Sequence, residues 1–251
     1  MNNLNLTIIT VVKNDEKNIK KTIESIINQK NIKFEYIVVD GGSTDKTIKI
    51  IKKYKKFIKK IISKKDKGIY DAMNKGIKIS KNDIIVFCNS GDFFYKNSLQ
   101  KVMRIFNNKN VDFVFGTVIR NYTKGTILKH GFNIKRIYYN FDFATAHSTG
   151  FFLKRKIYKK IGLYNIKYKC SADYDLYLRL FKNDLIGDAT KKKVLVGNVA
   201  SGGFSSKISF FSHLTEEMRI RFNNNQNIFL IILIFLNSIL KKILKNINFK
   251  L

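Results

Sequence analysis

Residues 83–92 read Asp-Ile-Ile-Val-Phe-Cys-Asn-Ser-Gly-Asp, an apolar run that ends in polar residues and a carboxylate. An apolar run of this length is typical of a strand buried on both faces, as in a parallel sheet covered by helices. In open sheets of that kind, ligands bind beyond the carboxyl ends of the strands. We therefore expect residues 89–92 to lie at the mouth of a site, where the Asp92 carboxylate suits Mg²⁺ or Mn²⁺.

Strand and helix patterns alternate through the first half of the chain. Residues 6–12 are apolar and β-branched, and the helix pattern that follows repeats at Ile19, Ile23 and Ile26. The same alternation continues with a strand over 34–39, a Lys-rich helix after it, a strand over 57–63, a helix over 70–79 and a strand over 84–89. This order predicts an α/β fold, a mostly parallel sheet sandwiched by helices.

The pattern loosens after residue 89. It predicts a helix over 97–106, strands over 111–119, 126–130 and 151–154, and a helix capped by Ser171. One continuous domain over residues 1–205, followed by a helical tail over 206–251, is the simplest organisation.

The charge balance limits the partners. Forty-eight Lys and Arg against 18 Asp and Glu give a net charge of +30, which favours phosphates, nucleic acid or anionic lipid. The lysines are spread along the chain instead of forming one patch with aromatic residues, so we expect no nucleic-acid partner. Two cysteines are too few for a disulfide framework, and the N-terminus lacks a signal-peptide pattern, so we expect a cytoplasmic location.

The tail contains nine successive apolar residues, 228–236, followed by a segment that includes Lys241, Lys242 and Lys245. The run is shorter than the roughly 20 residues that span a bilayer. With basic residues on both sides, it predicts a helix lying on the anionic cytoplasmic face of the membrane. The alternative is a helix docked on the core or on a second subunit.

Acidic motifs recur at predicted strand ends and helix starts. They are Asp40 in 38–45, Asp66 and Asp71 in 66–76, Asp92 in 89–92, and Asp173 in 171–176. Each alone is also typical of a turn or a helix cap. Their order and spacing, together with Thr-Ile-Ile-Thr-Val-Val-Lys-Asn-Asp-Glu at 7–16, resemble the family 2 glycosyltransferases of the GT-A (Rossmann-like) fold, in particular the bacterial type that builds surface polysaccharides. The resemblance covers roughly residues 5–205.

The resemblance implies a site for a nucleotide-sugar donor. Thr10, Val11 and Val12 would lie against the base, and Asp40 would accept a hydrogen bond from uracil or ribose. The segment around Asp66 would close over the nucleotide. The full set of donor-binding residues implied is Thr10, Val11, Val12, Asp40, Asp66, Tyr70, Asn74, Lys75, Asn89, Ser90, Gly91 and His147.

The resemblance also implies a metal ligand and a base. Asp92 matches the family's metal-binding position, where Asn89 and Gly91 replace further carboxylates, so Mg²⁺ or Mn²⁺ would be held jointly with the donor diphosphate. Asp173 matches the general base that takes a proton from the acceptor hydroxyl. The alternative for Asp173 and Asp175 is that both complement the dipole of their helix.

These features predict an inverting, metal-assisted glycosyltransferase. It would move a sugar from a nucleoside-diphosphate donor, expected to be a UDP-sugar, to a hydroxyl of a glycan or polyprenyl-lipid-linked acceptor in cell-surface polysaccharide synthesis. One alternative is a sugar-phosphate nucleotidyltransferase, although residues 12–16 lack its Gly-rich loop. The other is a non-catalytic basic protein that binds membrane or nucleic acid.

Overall fold

The computed structural model describes residues 4–123, 125–140 and 147–247. The strands are β1 (Leu6–Val12), β2 (Phe34–Asp40), β3 (Lys60–Ser63), β4 (Ile84–Phe87), β5 (Phe93–Phe94), β6 (Phe113–Phe115), β7 (Thr117–Tyr122), β8 (Gly125–Lys129), β9 (Phe151–Lys154), β10 (Gly187–Ala189) and β11 (Leu195–Val199). The helices are α1 (Ile19–Ile27), α2 (Thr47–Lys53), α3 (Ile69–Ile79), α4 (Ser98–Asn108), α5 (Ile134–Asn140), α6 (Arg155–Ile161), α7 (Ala172–Phe181), α8 (Phe210–Asn223) and α9 (Ile228–Ile247). A short 3₁₀ turn, Ser148–Gly150, precedes β9.

The main sheet has the strand order β10-β6-β9-β4-β1-β2-β3. The pairs β1–β2, β1–β4, β2–β3 and β6–β10 are parallel, whereas β9 runs antiparallel to both β4 and β6. Every residue of β1 and β4 is buried, as continuous apolar strands between two helical layers require. The predicted α/β fold with a mostly parallel sheet is confirmed.

Two apolar layers cover the sheet. Alternate residues of β1 point to opposite faces, so Ile9 packs in the layer that contains Met73 of α3, while Ile8 packs in the layer that contains Ile23 of α1 and Val102 of α4. Helices α1, α3, α4 and α7 in these layers were predicted, whereas α5 and α6, which contribute Ile137 and Ile157, were not.

A second sheet, in the order β5-β11-β7-β8, lies beyond the first and was not predicted. The prediction of one strand over 111–119 is wrong, because the chain changes sheets at Gly116. A side chain there would lie 2.7 Å from the side chain of Val196, so the two sheets approach too closely for any other residue. The change of sheet leaves β6 in the main sheet and β7 in the second one.

Helix α8 is attached to the body of the protein at the start of α7. The prediction that the Ser171 side chain caps α7 is wrong, since that side chain makes no cap hydrogen bond. Instead, the backbone N–H groups of Cys170 and Ser171 donate to Glu216 of α8 at 2.8 and 2.7 Å. This contact satisfies donors of the helix N-terminus with a carboxylate from the tail.

Arg221 of α8 is fully buried. Its guanidinium donates to Glu217 at 2.8 Å and to Gln226 at 2.8 Å, and it also binds the Tyr138 carbonyl of α5. Burial raises the pKa of Glu217 to about 7, and the charge of Arg221 opposes that rise. Arg221 therefore joins α8 to α5, and its charge is buried away from water.

Helix α9 has two different faces. Ile231 and Ile234 are buried, whereas Phe229, Leu233 and Leu236 are 77, 64 and 58% exposed. Across residues 4–123, 125–140 and 147–247, no helix is both long and apolar enough to span a bilayer. Residues 248–251 of the predicted tail lie outside the described residues.

We expect Arg221→Met to lower the free energy of unfolding by about 3 to 5 kcal/mol, because it leaves Glu217 buried without its partner. Arg219→Met, at an exposed position of the same helix, should change it by less than about 0.5 kcal/mol. Urea unfolding of both variants measures the difference. Equal midpoints for the two variants would show that the buried pair does not stabilise the attachment of α8.

Candidate functional site

The loops that follow β2 and β4 are hydrogen-bonded to the end of β1. Gly41 N donates to the Val12 carbonyl at 2.9 Å, and Ser90 N donates to the Val11 carbonyl at 3.1 Å. The side chains of Thr10, Val11 and Val12 are themselves buried. The structure thus brings three of the predicted segments together at the carboxyl edge of the parallel strands.

Asp40 is fully buried and bound within its own loop. Its carboxylate accepts hydrogen bonds from Gly42 N at 3.2 Å, Ser63 Oγ at 2.7 Å, and both the N–H and the hydroxyl of Ser43. These bonds match the turn interpretation of Asp40. Contact of its side chain with a donor stays a prediction.

Asp66 lies against the same loop. A side chain at Gly41 would collide with the Asp66 carboxylate, which also accepts a hydrogen bond from Gly68 N at 3.0 Å. The predicted segment 66–75 therefore meets the loop after β2, as a segment that closes over a shared ligand would.

The next residues of that segment face Tyr164 and Asp173. Tyr70 is 8% exposed, its ring stacks on that of Tyr164 with centroids 5.5 Å apart, and its hydroxyl donates to Asp173 Oδ1 at 3.3 Å. Asn74 uses both ends of its amide on the Tyr164 backbone, at 2.8 and 3.0 Å. Lys75 pairs with Asp71 at 3.0 Å near the surface. Through these contacts Tyr70 positions Asp173, and Asn74 positions Tyr164.

Asp173, in the first turn of α7, accepts hydrogen bonds from the Tyr70 hydroxyl and from Tyr174 N at 2.9 Å. Burial raises the pKa of Asp173 to about 6, against the lowering effect of these hydrogen bonds. A carboxyl with this pKa is still ionised by about ten to one at pH 7. A pKa near the working pH suits a general base.

Asp175 has a different role from Asp173. It binds Arg179 at 2.9 Å and Asn224 at 3.0 Å and is 5% exposed. This i,i+4 pair with Arg179 leaves Asp173 as the carboxylate of α7 that faces the other site residues.

Asp92 is 4% exposed, and both of its carboxylate oxygens are bound by the protein. Ala200 N donates to Oδ1 at 3.0 Å, and the Thr149 hydroxyl donates to Oδ2 at 2.7 Å. His147 Nδ1 lies 3.6 Å from Oδ2. Burial raises the pKa of Asp92 and lowers that of His147. The 89–92 turn and His147 therefore lie next to each other, while the roles of Asp92 and His147 stay predictions.

The turn before Asp92 is held by residues that sequence reasoning did not assign to the site. Ser90 Oγ donates to Asp15 at 2.6 Å, and Asn89 Nδ2 donates to Ser148 Oγ at 3.0 Å. Gly91 has a φ of +95°, in the left-handed region, and a side chain there would come within 3.9 Å of the Asp15 carboxylate. A second carboxylate at position 91 would therefore be strained and repelled.

The described residues offer no complete set of protein ligands for a divalent cation. Each oxygen of Asp92 accepts one hydrogen bond and keeps a further lone pair, and no group of three His, Cys, Asp or Glu within the described ranges is arranged to hold a metal, so a cation at Asp92 would need the donor diphosphate for its other ligands. The buried Oδ1 of Asn89 has no hydrogen-bond partner in that part of the chain, but a single amide oxygen is not a magnesium site.

Arg120 of β7 is a further residue that no local motif pointed to. It lies in the middle of a strand of the second sheet, and its charge acts on Asp92, His147 and Asp173. A long-range approach of this kind leaves no local pattern in the sequence.

Comparison with known sequences agrees with this arrangement. Residues 7–166 match the sequence profile of glycosyl transferase family 2. A PGL/p-HBAD biosynthesis glycosyltransferase of Mycobacterium bovis is 30% identical over 193 residues, which cover 74% of this chain and 73% of that protein. The poly(ribitol-phosphate) beta-N-acetylglucosaminyltransferase TarP of Staphylococcus aureus is 29% identical over 116 residues, or 44% of this chain and 36% of that protein.

Solved structures share the fold. S. aureus TarS 1–349 in complex with UDP-GlcNAc superposes with a TM-score of 0.72 at 18% identity, over 94% of this chain and 72% of that one. The mannosyltransferase PcManGT from Pyrobaculum calidifontis, solved with GDP-Man and Mn²⁺, superposes with a TM-score of 0.61 at 15% identity, over 87 and 62%. The chain spans 39% of the longer TarS structure. The GT-A fold is shared, and because the profile covers more than half of the sequence, the chain belongs to glycosyl transferase family 2 and is a glycosyltransferase.

Proposed function

We propose that this glycosyltransferase moves a sugar from a UDP-sugar to a hydroxyl of a glycan or lipid-linked acceptor, with inversion at the anomeric carbon, in cell-surface polysaccharide synthesis. The observation that carries the proposal is Asp173, a carboxylate with a pKa of about 6 that Tyr70 holds near the carboxyl edge of the parallel strands. The UDP-GlcNAc bound by TarS supports the donor class, and the poly(ribitol-phosphate) in the name of TarP supports a polymeric acceptor. Family membership argues against both alternatives, the nucleotidyltransferase and the non-catalytic binder.

The reaction follows from one base and one leaving group. The acceptor oxygen attacks the anomeric carbon from the face opposite the nucleotide, and the bond from that carbon to the diphosphate oxygen breaks. The electron pair leaves with the diphosphate, and Asp173 takes the hydroxyl proton. The Tyr70 hydroxyl orients the carboxylate, and the ring of Tyr164 supports Tyr70.

The carboxyl edge of the parallel strands would hold the donor. The loops of Gly41 and Ser90 flank the end of β1, and the nucleotide base would lie against the strand end formed by residues 10–12. Asp66 borders that place from the side. PcManGT was solved with Mn²⁺. In this chain Asp92 would hold such an ion together with the donor diphosphate, and the ion would supply positive charge to the leaving group.

We also propose that α9 rests on the anionic cytoplasmic face of the membrane, where a polyprenyl-linked acceptor would be presented. At about 100° per residue, Phe229, Leu233, Leu236 and Leu240 fall on one stripe, opposite the buried Ile231 and Ile234. Lys241 and Lys242 are exposed toward the C-terminal end of the helix, where Lys242 lies over the ring of Phe210 in α8. An exposed apolar stripe on a helix that also carries basic residues is typical of an interfacial helix.

Asp173→Asn should reduce transfer by about 10²- to 10⁴-fold, because the acceptor proton loses its base. Asp184→Asn is the matched control: Asp184 is exposed, and its φ of +49° is a conformation that Asn adopts readily. Release of UDP from a panel of UDP-sugars, with acceptor present, measures both variants. Full activity of a folded Asp173→Asn variant would contradict the assignment of the base.

The pH profile should identify the same group. Since the protonated carboxyl cannot accept a proton, kcat/KM should fall about tenfold per pH unit below about pH 6, the pKa of Asp173. Tyr70→Phe removes a hydrogen bond that favours the ionised form, so the acid limb should move to higher pH. A profile that is flat from pH 5 to 7, or a limb that does not move in Tyr70→Phe, would refute this origin of the limb.

Replacing Leu233 and Leu236 by Ser should weaken binding to phosphatidylglycerol vesicles by more than about tenfold, because two apolar side chains no longer enter the lipid. Phe57→Ser, at a 46% exposed phenylalanine outside the tail, should leave binding unchanged. Vesicle sedimentation gives the partition coefficients, and analytical ultracentrifugation gives the mass. If the double variant keeps vesicle binding and instead lowers the mass from dimer to monomer, α9 contacts a second copy and the membrane proposal is wrong.

A further inference from the structure

We propose that Arg120 binds the diphosphate of the donor and supplies positive charge toward which it leaves. This inference rests on the proposed function and adds a binding residue to its site. Arg120 lies in β7, whose residues the sequence marked only as a strand.

A cation is required at this point of the reaction. The diphosphate gains a full negative charge as its bond to the sugar breaks, and groups fixed near it stabilise that charge best. No group of three His, Cys, Asp or Glu among the described residues is arranged to hold a metal, so an ion there would depend on the donor for its remaining ligands. A guanidinium needs no such support, and its planar fork matches phosphate oxygens in pairs.

The strand register places Arg120 on the face of the second sheet that covers the site. Val118 pairs with Gly197 and Arg120 with Val199, and alternate residues of a strand point to the same face. A side chain at Gly197 would lie 2.6 Å from the methyl group of Thr149, so this face packs directly on the 148–150 turn.

The same face reaches Asp92 through two bonds. Thr149 donates to one oxygen of Asp92, and the N–H of Ala200, the residue after the Val199 partner of Arg120, donates to the other. Arg120 therefore stands beside the segment that closes over the end of β4.

The electrostatics agree with that position. Burial raises the pKa of Asp92 and of Asp173, and the positive charge of Arg120 opposes both changes. Burial lowers the pKa of His147, and Arg120 lowers it further. The charge of Arg120 thus acts on Asp92 after β4, on His147 before β9 and on Asp173, the proposed general base in α7.

The charge of Arg120 is not consumed by a carboxylate. Among the ion pairs of the described residues, Arg179 binds Asp175 and Arg221 binds Glu217, but none involves Arg120. Its guanidinium lies over the ring of Tyr122, at 5.1 Å from the centroid. A half-buried arginine that lies over an aromatic ring and makes no ion pair with the described residues is suited to an anionic ligand.

Nucleotide titrations in the presence of EDTA test the proposal. The wild-type protein should bind UDP without a divalent cation, and Arg120→Met should weaken UDP binding by about 10- to 100-fold, as expected for a lost hydrogen bond between charged groups. Binding of uridine, which has no phosphate, should be unchanged by the substitution. Arg120→Lys should bind UDP with intermediate affinity.

Arg104→Met is the matched control, since Arg104 is an exposed residue of α4, and it should bind UDP like the wild type. The proposal is overturned if Arg120→Met binds UDP like the wild type, or if it weakens uridine and UDP binding equally, which would indicate a structural role. Failure of the proposed function looks different: no sugar would be transferred by the wild type from any donor, whereas the difference between UDP and uridine would persist.

Discussion

The buried carboxylate of Asp92 is the contact on which the arrangement of the site depends. A charge with 4% exposure must be satisfied by the protein, and here the donors come from Thr149 before β9 and from Ala200 after β11. The Asp92 carbonyl also accepts the hydroxyl of Thr22 in α1 at 2.7 Å. One residue thus joins the parallel sheet, the second sheet and a covering helix, and it brings Arg120 and His147 to the end of β4.

The carboxylates of the site divide into those that build it and one that remains available. Asp40 and Asp175 are buried and have their oxygens bound by neighbouring groups, so they shape the loop after β2 and fasten α7. Asp173 is only partly covered, and its bonds come from a tyrosine hydroxyl and a backbone N–H. Its surroundings raise its pKa without pairing it to a cation, which is the condition a general base needs.

Local patterns predicted the parts of the fold that local chemistry controls. The apolar runs of β1, β2 and β4 and the stripes of α1 and α3 report burial directly, and their bounds agree with prediction to within a few residues. The second sheet was missed because its strands are short and pair across long sequence separations. The break at Gly116 has no local signal either, since its cause is the distant side chain of Val196.

The sequence by itself determined the α/β class, the family and the position of the acidic motifs at strand ends, because periodicity and motif spacing are properties of neighbouring residues. Only the tertiary structure decided what each acidic residue does. Whether a carboxylate is buried, bonded or free depends on groups that arrive from elsewhere, as Thr149 and Ala200 do at Asp92. The same is true of Arg120, whose place beside the site follows from the pairing of β7 with β11.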